Sequence, residues 1–368
     1  MMKISNKDKL QRNCVLAKEI NRQPAKLVFL KLIGLVITIM LGMCVAVGTR
    51  IYFTMASSVR QANQGHVMAD SSFIAQQKPF SVLILGVDQG IEGRHDQGNS
   101  DTMILVTLNP KKGVATMTSI PRDLLADIQP SKKFYMFRVN SAYQLGGNRA
   151  AVKTVSTLLN VPVNNYMEVN MKALKNLVDA LGGVDVKVPF SFTYNTKFVK
   201  GMQHLNGNAA LDYVRMRKED PQGDYGRQKK QRQVIEQLIH KGMTLKSLNN
   251  YRKILNVFAK YVKTNLTFND MLSVAFKYRS CSHHIVQDYV HAHDAWIGGA
   301  ALQVASTSEL QRVSDLTRSN LNLKKQKLHN EETRQNKLQK HLKWKKKDPF
   351  ENYIIYERHS KTKVWTGK

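Results

Sequence analysis

The chain has 368 residues, and its 56 Lys and Arg against 27 Asp and Glu give a formal net charge of +29 and a pI of about 10.0. So basic a protein requires an anionic partner, and nucleic acid is the first class that the charge suggests. Its three cysteines form no C-x-x-C motif or Cys/His cluster, which excludes a disulfide-stapled fold and a cysteine-ligated metal centre.

An apolar run near the N-terminus predicts a membrane anchor. Residues 32–48 carry no charge, and only Lys31 and Arg50 interrupt the wider stretch 27–53, which is about the length that spans a bilayer core. Residues 1–26 hold seven Lys and Arg against two acids, so the positive-inside rule predicts a cytoplasmic N-terminus. A cleaved signal peptide is the alternative, although its apolar core is usually shorter.

The predicted anchor changes the class of partner. A single-pass protein of the cell membrane with its domain outside the cell does not meet nucleic acid, so that partner is excluded on this topology. Lipid head groups, teichoic-acid-like wall polymers and a lipid pyrophosphate remain as anionic partners.

Residues 79–323 predict one mixed domain behind a polar stalk at residues 54–78. The predicted strands are Phe80–Val87, the hairpin strands Met103–Leu108 and Val114–Ile120, and Val184–Val188. The predicted helices are Ala150–Leu159, Met171–Leu181, Asn206–Tyr213, a long helix from Arg227 toward Leu245, Asn250–Tyr261, Phe268–Tyr278, and a last helix that a capping box at Ser306–Glu309 opens toward Leu321. These elements predict an α/β (α+β) sandwich, with a central mixed sheet flanked by helices.

The C-terminal tail, residues 324–368, is strongly basic. Residues 324–347 contain ten Lys and Arg against two Glu, and their apolar residues are too sparse for a core. We therefore expect the tail to be disordered or to form a basic surface helix, which would bind anionic lipid or wall polymer.

Residues 211–235 carry the densest set of candidate functional side chains. Arg215 and Arg217 lie two apart, as neighbours on one face of an extended segment would. A Pro-Gly turn follows, and then a helix is predicted to begin at Arg227, with Gln231 on the same face. A helix N-terminus and planar guanidiniums together suit phosphate oxygens. A solvated basic helix is the alternative. Interleaved acids favour a built site: Asp212, Glu219, Asp220 and Asp224.

Carboxylates and an arginine follow the ends of the predicted strands. Asp88 leaves the first strand and Asp101 begins the second, so the two together could hold a hard cation such as Mg²⁺. For either one alone, a turn or cap role is the alternative. Arg122 and Asp123 end the third strand, where a simple salt bridge is the alternative.

Taken in order, these motifs resemble the LytR-CpsA-Psr family of cell-wall glycopolymer ligases. The resemblance covers essentially all of residues 79–323, together with the N-terminal span. It is carried by Ser81–Asp88 (SVLILGVD), Ser100–Pro110 (SDTMILVTLNP), Ser119–Asp123 (SIPRD), Arg138–Gly147 (RVNSAYQLGG), Val169–Pro189, Gly201–Lys218, Asp224–Ile235 (DYGRQKKQRQVI) and Ala301–Leu321.

The resemblance implies an extracytoplasmic phosphotransferase. Such an enzyme takes a glycopolymer from an undecaprenyl-pyrophosphate carrier and attaches it to peptidoglycan through a phosphodiester. The implied roles are Mg²⁺ binding by Asp88 and Asp101, catalysis by Arg122, Arg215, Arg217 and Asp224, and pyrophosphate binding by Arg122, Arg215, Arg217, Arg227 and Gln231. This agrees with the residue chemistry, because phosphoryl transfer depends mainly on positioning and on charge stabilisation by arginine and metal.

Some features leave the assignment open. The polyprenyl tail requires an apolar tunnel, and the helices Ala150–Leu159, Met171–Leu181 and Val234–Ile239 are candidates to line it, although core packing explains them equally well. Asn99 and Lys230 stand where the family usually has arginine. We therefore expect the affinity for pyrophosphate to be weaker, or the substrate preference to differ, relative to family members that have the arginine. Hydrolysis of a lipid pyrophosphate, and a non-catalytic role in binding wall polymer or in regulation, are the rival functions.

Overall fold

A computed structural model of the protein describes residues 72–87, 98–129, 133–242, 251–340 and 353–364, with isolated positions between 38 and 57 and at 342 and 344. Most of the predicted anchor and stalk, and also Asp88, lie outside the described residues. Among the helices that the structure describes, none combines the length and the apolar character needed to cross a bilayer. The chain divides into two compact units, Met1–Met55 and Ala56–Lys368, and the second contains the domain.

The domain is a mixed α/β fold. Its strands are β1 (Phe80–Val87), β2 (Ser100–Asn109), β3 (Val114–Ser119), β4 (Leu125–Asp127), β5 (Met136–Arg138), β6 (Asn165–Asn170), β7 (Val184–Val188), β8 (Phe192–Thr193), β9 (Lys197–Phe198), β10 (Gly201–Leu205), β11 (Val262–Thr264), β12 (Ile285–Tyr289), β13 (His293–Ile297) and β14 (Ala300–Val304). Its helices are α1 (Ser72–Ala75), α2 (Ser141–Leu159), α3 (Met171–Ala180), α4 (Gly207–Arg215), α5 (Asp224–Gly242), α6 (Tyr251–Tyr261), α7 (Phe268–Lys277), α8 (Thr307–Asn320) and α9 (Glu331–Leu338).

A six-stranded mixed sheet in the order β11-β6-β1-β2-β3-β12 forms the centre of the described fold. The predicted hairpin is confirmed, because β2 pairs antiparallel with both β1 and β3. The sheet is mixed because β6 runs parallel to β1 and β12 runs parallel to β3. The predicted central mixed sheet flanked by helices is therefore confirmed.

Both faces of the sheet are covered, which explains why its central strands read as nearly continuous apolar runs. On one face, Leu83 and Leu105 pack with α2 and α8 in the main core. On the other face, Ile104 and Met117 are buried beneath half-buried isoleucines of α5. Alternate residues of one strand thus face opposite layers, as the pleat requires.

Helix boundaries agree with the sequence where a cap is local. Asn170 accepts from the backbone N–H of Ala173 at the start of α3, and Gly182 and Gly183 follow its end with φ of 74° and 87°. By contrast, α2 begins at Ser141, well before the predicted start at Ala150, because the chain stays helical on both sides of a break at Gly146 and Gly147. The glycine pair permits this break, since Gly147 has φ of 63° and ψ of −156°.

The tail departs most from expectation. Residues 324–340 and 353–364 pack onto the domain, so the disordered alternative is wrong for them, and the predicted helix is present as α9 but buries Glu332, Gln335 and Asn336. Leu328 joins the main core, and Tyr353 and Ile355 pack with residues of β4 and β5. Few apolar residues are needed here, because much of the packing is polar.

Two glutamines, one in α9 and one at its C-cap, bond to the backbone of an extended segment of the tail as a neighbouring strand would. The side-chain amide of Gln335 donates to the carbonyl and accepts from the N–H of Tyr356, at 2.6 and 2.9 Å. Gln339 does the same with Ile354, at 2.5 and 3.1 Å. Four residues of a helix advance about 6 Å, and two residues of an extended segment advance about 6.6 Å. Residues four apart on the helix therefore match residues two apart on the extended segment.

A buried carboxyl pair joins the tail to β4. Oε1 of Glu332 accepts from the backbone N–H of Asp127 at 2.8 Å, and Oδ2 of Asp127 pairs with Nη2 of Arg358 at 2.5 Å. Burial raises the pKa of Glu332 to about 7, and it also raises the pKa of Asp127. Glu332 therefore favours its neutral form in the folded protein.

This raised pKa predicts a pH-dependent stability. The unfolded chain releases the Glu332 proton near its ordinary pKa of about 4.5, whereas the folded protein keeps it up to about 7. Unfolding is therefore favoured increasingly as pH rises through this window. Glu332→Gln should gain about 2 kcal/mol relative to wild type between pH 5 and pH 8, measured by urea unfolding. Glu331→Gln is the control, and parallel pH profiles for wild type and Glu332→Gln would contradict the prediction.

Candidate functional site

A cavity of about 970 Å³ lies beside the start of α5. Three of the predicted arginines, Arg215, Arg217 and Arg227, line it together with Asp224. Glu219, another of the interleaved acids, also lines it, and so do residues that no sequence motif marked: Tyr194, Met216, Lys218, Gln222, Gly223, Tyr225, Asp294 and Gln303. The structure therefore brings the densest part of the predicted site together in one concave surface.

The two helices that frame the cavity begin and end differently from prediction. Asn206 caps α4 by accepting from the backbone N–H of Ala209, and the helix continues to Arg215. Arg215 is therefore the last residue of a helix, and the extended pairing expected for Arg215 and Arg217 is wrong. Similarly, α5 begins at Asp224 and not at Arg227. An acid favours the first turn of a helix, which explains the earlier start.

Arg227 and Asp224 form the buried centre of the site. Nη2 of Arg227 lies 2.6 Å from Oδ1 of Asp224, and Nε of Arg217 lies 3.8 Å from the same oxygen. Burial lowers the pKa of Arg227, and the Asp224 charge opposes this shift. Despite these ion pairs, Nε of Arg227 and Oδ1 of Asp224 are buried without a well-aligned hydrogen bond. Such atoms mark a place where a polar ligand fits.

Arg122 lies at the end of β3, next to this centre. Its Nη1 donates to Oδ1 of Asp101 at 2.7 Å, and its Nε lies 3.4 Å from Oδ2 of Asp123, buried and without a hydrogen bond. Burial disfavours its charge, yet the hydrogen bond and charge of Asp101, helped by Asp123 and Asp224, raise its pKa. Because the Asp224 charge acts on Arg122, the two halves of the site are close, although Arg122 does not line the cavity.

Sheet register explains the pairing of Arg122 with Asp101. Ile104 of β2 lies opposite Ser119 of β3 in the antiparallel ladder. Asp101 precedes Ile104 by three residues and Arg122 follows Ser119 by three, so both side chains emerge at the same end of the sheet. The strand-end salt bridge considered as the alternative for Arg122 is thus present, with Asp101 as a partner in addition to Asp123.

Most of the basic helix is structural. Lys230 is only 1% exposed and pairs with Asp220, and Arg232 donates to Oγ of Ser119 at 2.6 Å. A Cβ at Gly226 would lie 2.1 Å from the Asp220 carboxyl, so this glycine makes room for the ion pair. The solvated basic helix considered as an alternative is therefore wrong, and Lys230 is not a substitute for a substrate-facing arginine.

Gln231 is placed less favourably than expected. It is buried one turn after Arg227 in α5, and it is not among the residues that line the cavity. Asn99, by contrast, is exposed just before β2. The structure therefore supports the arginines as cavity groups more directly than Gln231.

The predicted metal pair is described only in part, since Asp88 lies outside the described residues. Within the ranges that the structure covers, no three His, Cys, Asp or Glu side chains converge on a metal position. Asp101 is partly exposed and pairs with Arg122, and next to it Oγ of Ser100 is buried without a partner. Val87, the last residue of β1, pairs with Ser100. Oxygen ligands of the kind that Mg²⁺ takes are therefore present at this strand end.

The three helices considered as the lining of an apolar tunnel lie in two different places. Two of them are packed into core clusters, and the third packs over one face of the sheet. Residues of α2 such as Val155 and Leu158 are buried in the main core, and Val178 of α3 lies in a second core cluster, so neither helix offers these residues to a tunnel. Ile235 and Ile239 of α5 are only partly buried where they pack over β2 and β3. This face of α5 remains the best candidate for an apolar chain.

Two residues from a distant hairpin complete the cavity. Asp294 of β13 lies opposite Gln303 of β14, and Nε2 of Gln303 donates to Oδ1 of Asp294 at 2.9 Å. Tyr225 of the cavity wall bonds through its hydroxyl to the backbone of Ala292 just before this hairpin. No local motif marks Asp294 or Gln303 in the sequence, because only the tertiary fold brings them to α5.

Comparison with known proteins identifies the family. The profile of the LytR_cpsA_psr family matches residues 47–319. A curated relative from Enterococcus faecalis, the polyisoprenyl-teichoic acid–peptidoglycan teichoic acid transferase TagU, is 37% identical over 302 residues, which cover 81% of this chain and 99% of the relative.

Solved structures agree with this match. The crystal structure of Bacillus subtilis TagU is 38% identical, with a TM-score of 0.55 over 67% of this chain and 98% of that structure. A structure of TagT bound to LIIa-WTA is 26% identical, with a TM-score of 0.59 over 71% of this chain and 99% of that one. Since the family profile and the curated relative each cover well over half of the chain, the protein belongs to the LytR-CpsA-Psr family.

Proposed function

We propose that the protein is a glycopolymer transferase that moves a wall polymer from a polyprenyl-pyrophosphate carrier onto peptidoglycan through a phosphodiester. The observation that carries this proposal is a set of buried polar atoms without well-aligned hydrogen bonds: Nε of Arg227 and Oδ1 of Asp224 belong to residues of the cavity wall, and Nε of Arg122 belongs to a residue close enough to feel the Asp224 charge. Its curated relatives bear the names of teichoic acid transferases, which supports the same reaction.

The arginines of the site differ in how much of their side chains is exposed to solvent, and this suggests different roles. Arg227, whose side chain is 12% exposed, is fixed by Asp224, whereas the Arg217 side chain is 51% exposed and free to meet a polymer entering from solvent. In the transfer step, an acceptor sugar hydroxyl attacks the phosphorus that carries the polymer. The bond to the polyprenyl phosphate breaks, the polyprenyl phosphate leaves with the electron pair of that bond, and the hydroxyl proton is released. Charge develops on the bridging and outer phosphate oxygens, and preorganised guanidiniums stabilise it.

We infer that Mg²⁺ assists, held by Asp101 and Asp88. When bound, it would neutralise pyrophosphate charge. Asp101 also has a role without metal, since it orients Arg122.

We also propose that residues 27–53 anchor the protein in the membrane, with its domain outside the cell. A reporter enzyme fused after Lys368 tests this topology, because it should be active only outside the cytoplasm.

The rival functions share parts of this site. Water in place of the sugar hydroxyl would make the protein a pyrophosphate hydrolase, and a wall-polymer binder or regulator would need the arginines without turnover. Both rivals predict no transfer product. Transfer to peptidoglycan by the purified protein therefore separates the proposed function from each of them.

Arginine substitutions test the charge stabilisation. Arg215→Ala and Arg217→Ala should each lower transfer from a lipid-linked donor about 100-fold, because losing one preorganised donor typically costs ~3 kcal/mol of barrier. Lysine at either position should rescue poorly, since an ammonium cannot reproduce the planar fork. Lys229→Ala, exposed on the same helix α5, is the control and should leave transfer unchanged. Full activity in Arg217→Lys would argue against bidentate recognition.

Metal removal tests the Asp101 assignment. EDTA should stop transfer and added Mg²⁺ should restore it, and Mn²⁺ binding followed by electron paramagnetic resonance should weaken in Asp101→Asn. Arg122→Lys is the control, because it disturbs the ion pair but keeps the carboxylate. If EDTA leaves transfer intact while Asp101→Asn abolishes it, the carboxylate only orients Arg122 and the metal proposal is wrong.

A further inference from the structure

A second cavity, of about 800 Å³, lies between the start of α8 and the C-terminal segment. Ser306–Ser308 form one wall, and residues between Lys327 and Lys337, with Trp344, form the other. The family profile ends at residue 319, so most of this wall is built by sequence beyond the family match. The cavity therefore lies mostly outside the part of the chain that the family profile matches.

The cavity is electropositive. Lys327, His329 and Lys337 line it and are exposed, and in the portion of the chain that the structure covers neither lysine forms an ion pair. Glu331 is the one acid among the described lining residues, and Arg334 neutralises it at 2.9 Å. The net charge that faces the cavity is therefore positive and available to an anion.

Helix starts add to this charge. Ser306 is the N-cap of α8, and the backbone N–H groups of Thr307 and Ser308 have no acceptor within the helix, as in any first turn. Asn330 is the N-cap of α9 and also lines the cavity. Both helix starts are therefore at the cavity wall, where their partial positive charges reinforce the lysines.

One wall suits a sugar. The half-buried indole of Trp344 meets the ring of His293 edge to face, with centroids 6.0 Å apart. Aromatic faces pack against the C–H face of a sugar ring, and the exposed hydroxyls of Thr307 and Ser308 supply polar groups for its hydroxyls. The cavity therefore combines the chemistry of phosphate binding with that of sugar binding.

The hairpin β13-β14 connects the two cavities. His293 and Asp294 are consecutive in β13, so their side chains point to opposite faces. Asp294 lines the arginine cavity, whereas His293 contacts Trp344 of the second cavity. Likewise, Gln303 lines the first cavity and Ser306 the second, and the three-residue spacing keeps their Cα atoms within about 11 Å of each other. The two cavities therefore lie close together on the domain.

We propose that the second cavity binds a phosphodiester-linked sugar segment of the glycopolymer, away from its pyrophosphate end. Repeated phosphates match the several cationic groups, whereas an uncharged glycan would leave them unused. The identification of the ligand as the donor polymer rests on the proposed function, but binding itself does not require transfer.

The test measures binding of a soluble, lipid-free glucosylated poly(glycerol phosphate), which carries both sugar rings and phosphodiesters, to the full-length protein in detergent. Lys327→Gln/Lys337→Gln should lower the affinity about tenfold, and higher salt should reduce the difference. The matched control is Lys324→Gln/Lys340→Gln, which removes the same charge from exposed lysines of the same segment outside the cavity. The control should change affinity by less than about twofold.

Three outcomes would overturn the proposal. Equal losses in both double variants would show non-specific charge attraction, and no loss in the cavity variant would show that the polymer binds elsewhere. If binding of a phosphate-free peptidoglycan glycan strand depended on the same lysines, the cavity would be a site for the acceptor and not for the donor polymer. If wild type transfers nothing but the cavity lysines still govern polymer binding, the proposed function fails and the second site stands.

Discussion

The pairing of each inner arginine with a carboxylate is the interaction on which the site depends. Arginines gathered without acids would repel one another, and burying a lone guanidinium is costly. Asp101 and Asp224 remove part of this cost by engaging one edge of Arg122 and one edge of Arg227. The remaining Nε atoms are buried without well-aligned hydrogen bonds, so the site is fixed in shape and incomplete in bonding. On the proposed function, a diphosphate would supply the missing acceptors.

Elements far from the cavity maintain this geometry. The register of β2 against β3 brings Asp101 to Arg122. The buried Lys230–Asp220 pair fixes the turn before α5, and Arg232 ties the same helix to Ser119 at the end of β3. The basic residues of α5 thus serve two purposes. Arg227 lines the cavity, whereas Lys230 and Arg232 hold the helix that carries it.

Sequence patterns predicted the fold well where the determinants are local. The apolar runs of β1 to β3, the Asn170 cap and the glycines after α3 have strong local preferences, and the structure agrees. The arginines were identified through motif order, yet the helical position of Arg215 and the start of α5 at Asp224 were not. Both errors concern the residue at which a helix ends or begins next to a turn. Such a boundary can move by a few residues without any change in the composition of the segment.

The tail could not be predicted for a different reason. Its packing rests on amides such as Gln335 and Gln339, which bond to the backbone of a segment many residues away. Apolar periodicity carries no signal for such polar packing, and a high density of lysine resembles disorder. In the same way, Asp294 and Gln303 reach the cavity only through the tertiary fold. Long-range polar contacts are therefore the part of the structure that could not be predicted from the sequence.

A crystal structure with a short-chain polyprenyl diphosphate bound would test the role of the paired arginines most directly. We expect diphosphate oxygens within hydrogen-bonding distance of Nε of Arg122 and Nε of Arg227, with Arg217 closing from the solvent side. The apolar chain should extend over Ile235 and Ile239. A diphosphate bound elsewhere, with both Nε atoms still lacking an acceptor, would contradict it.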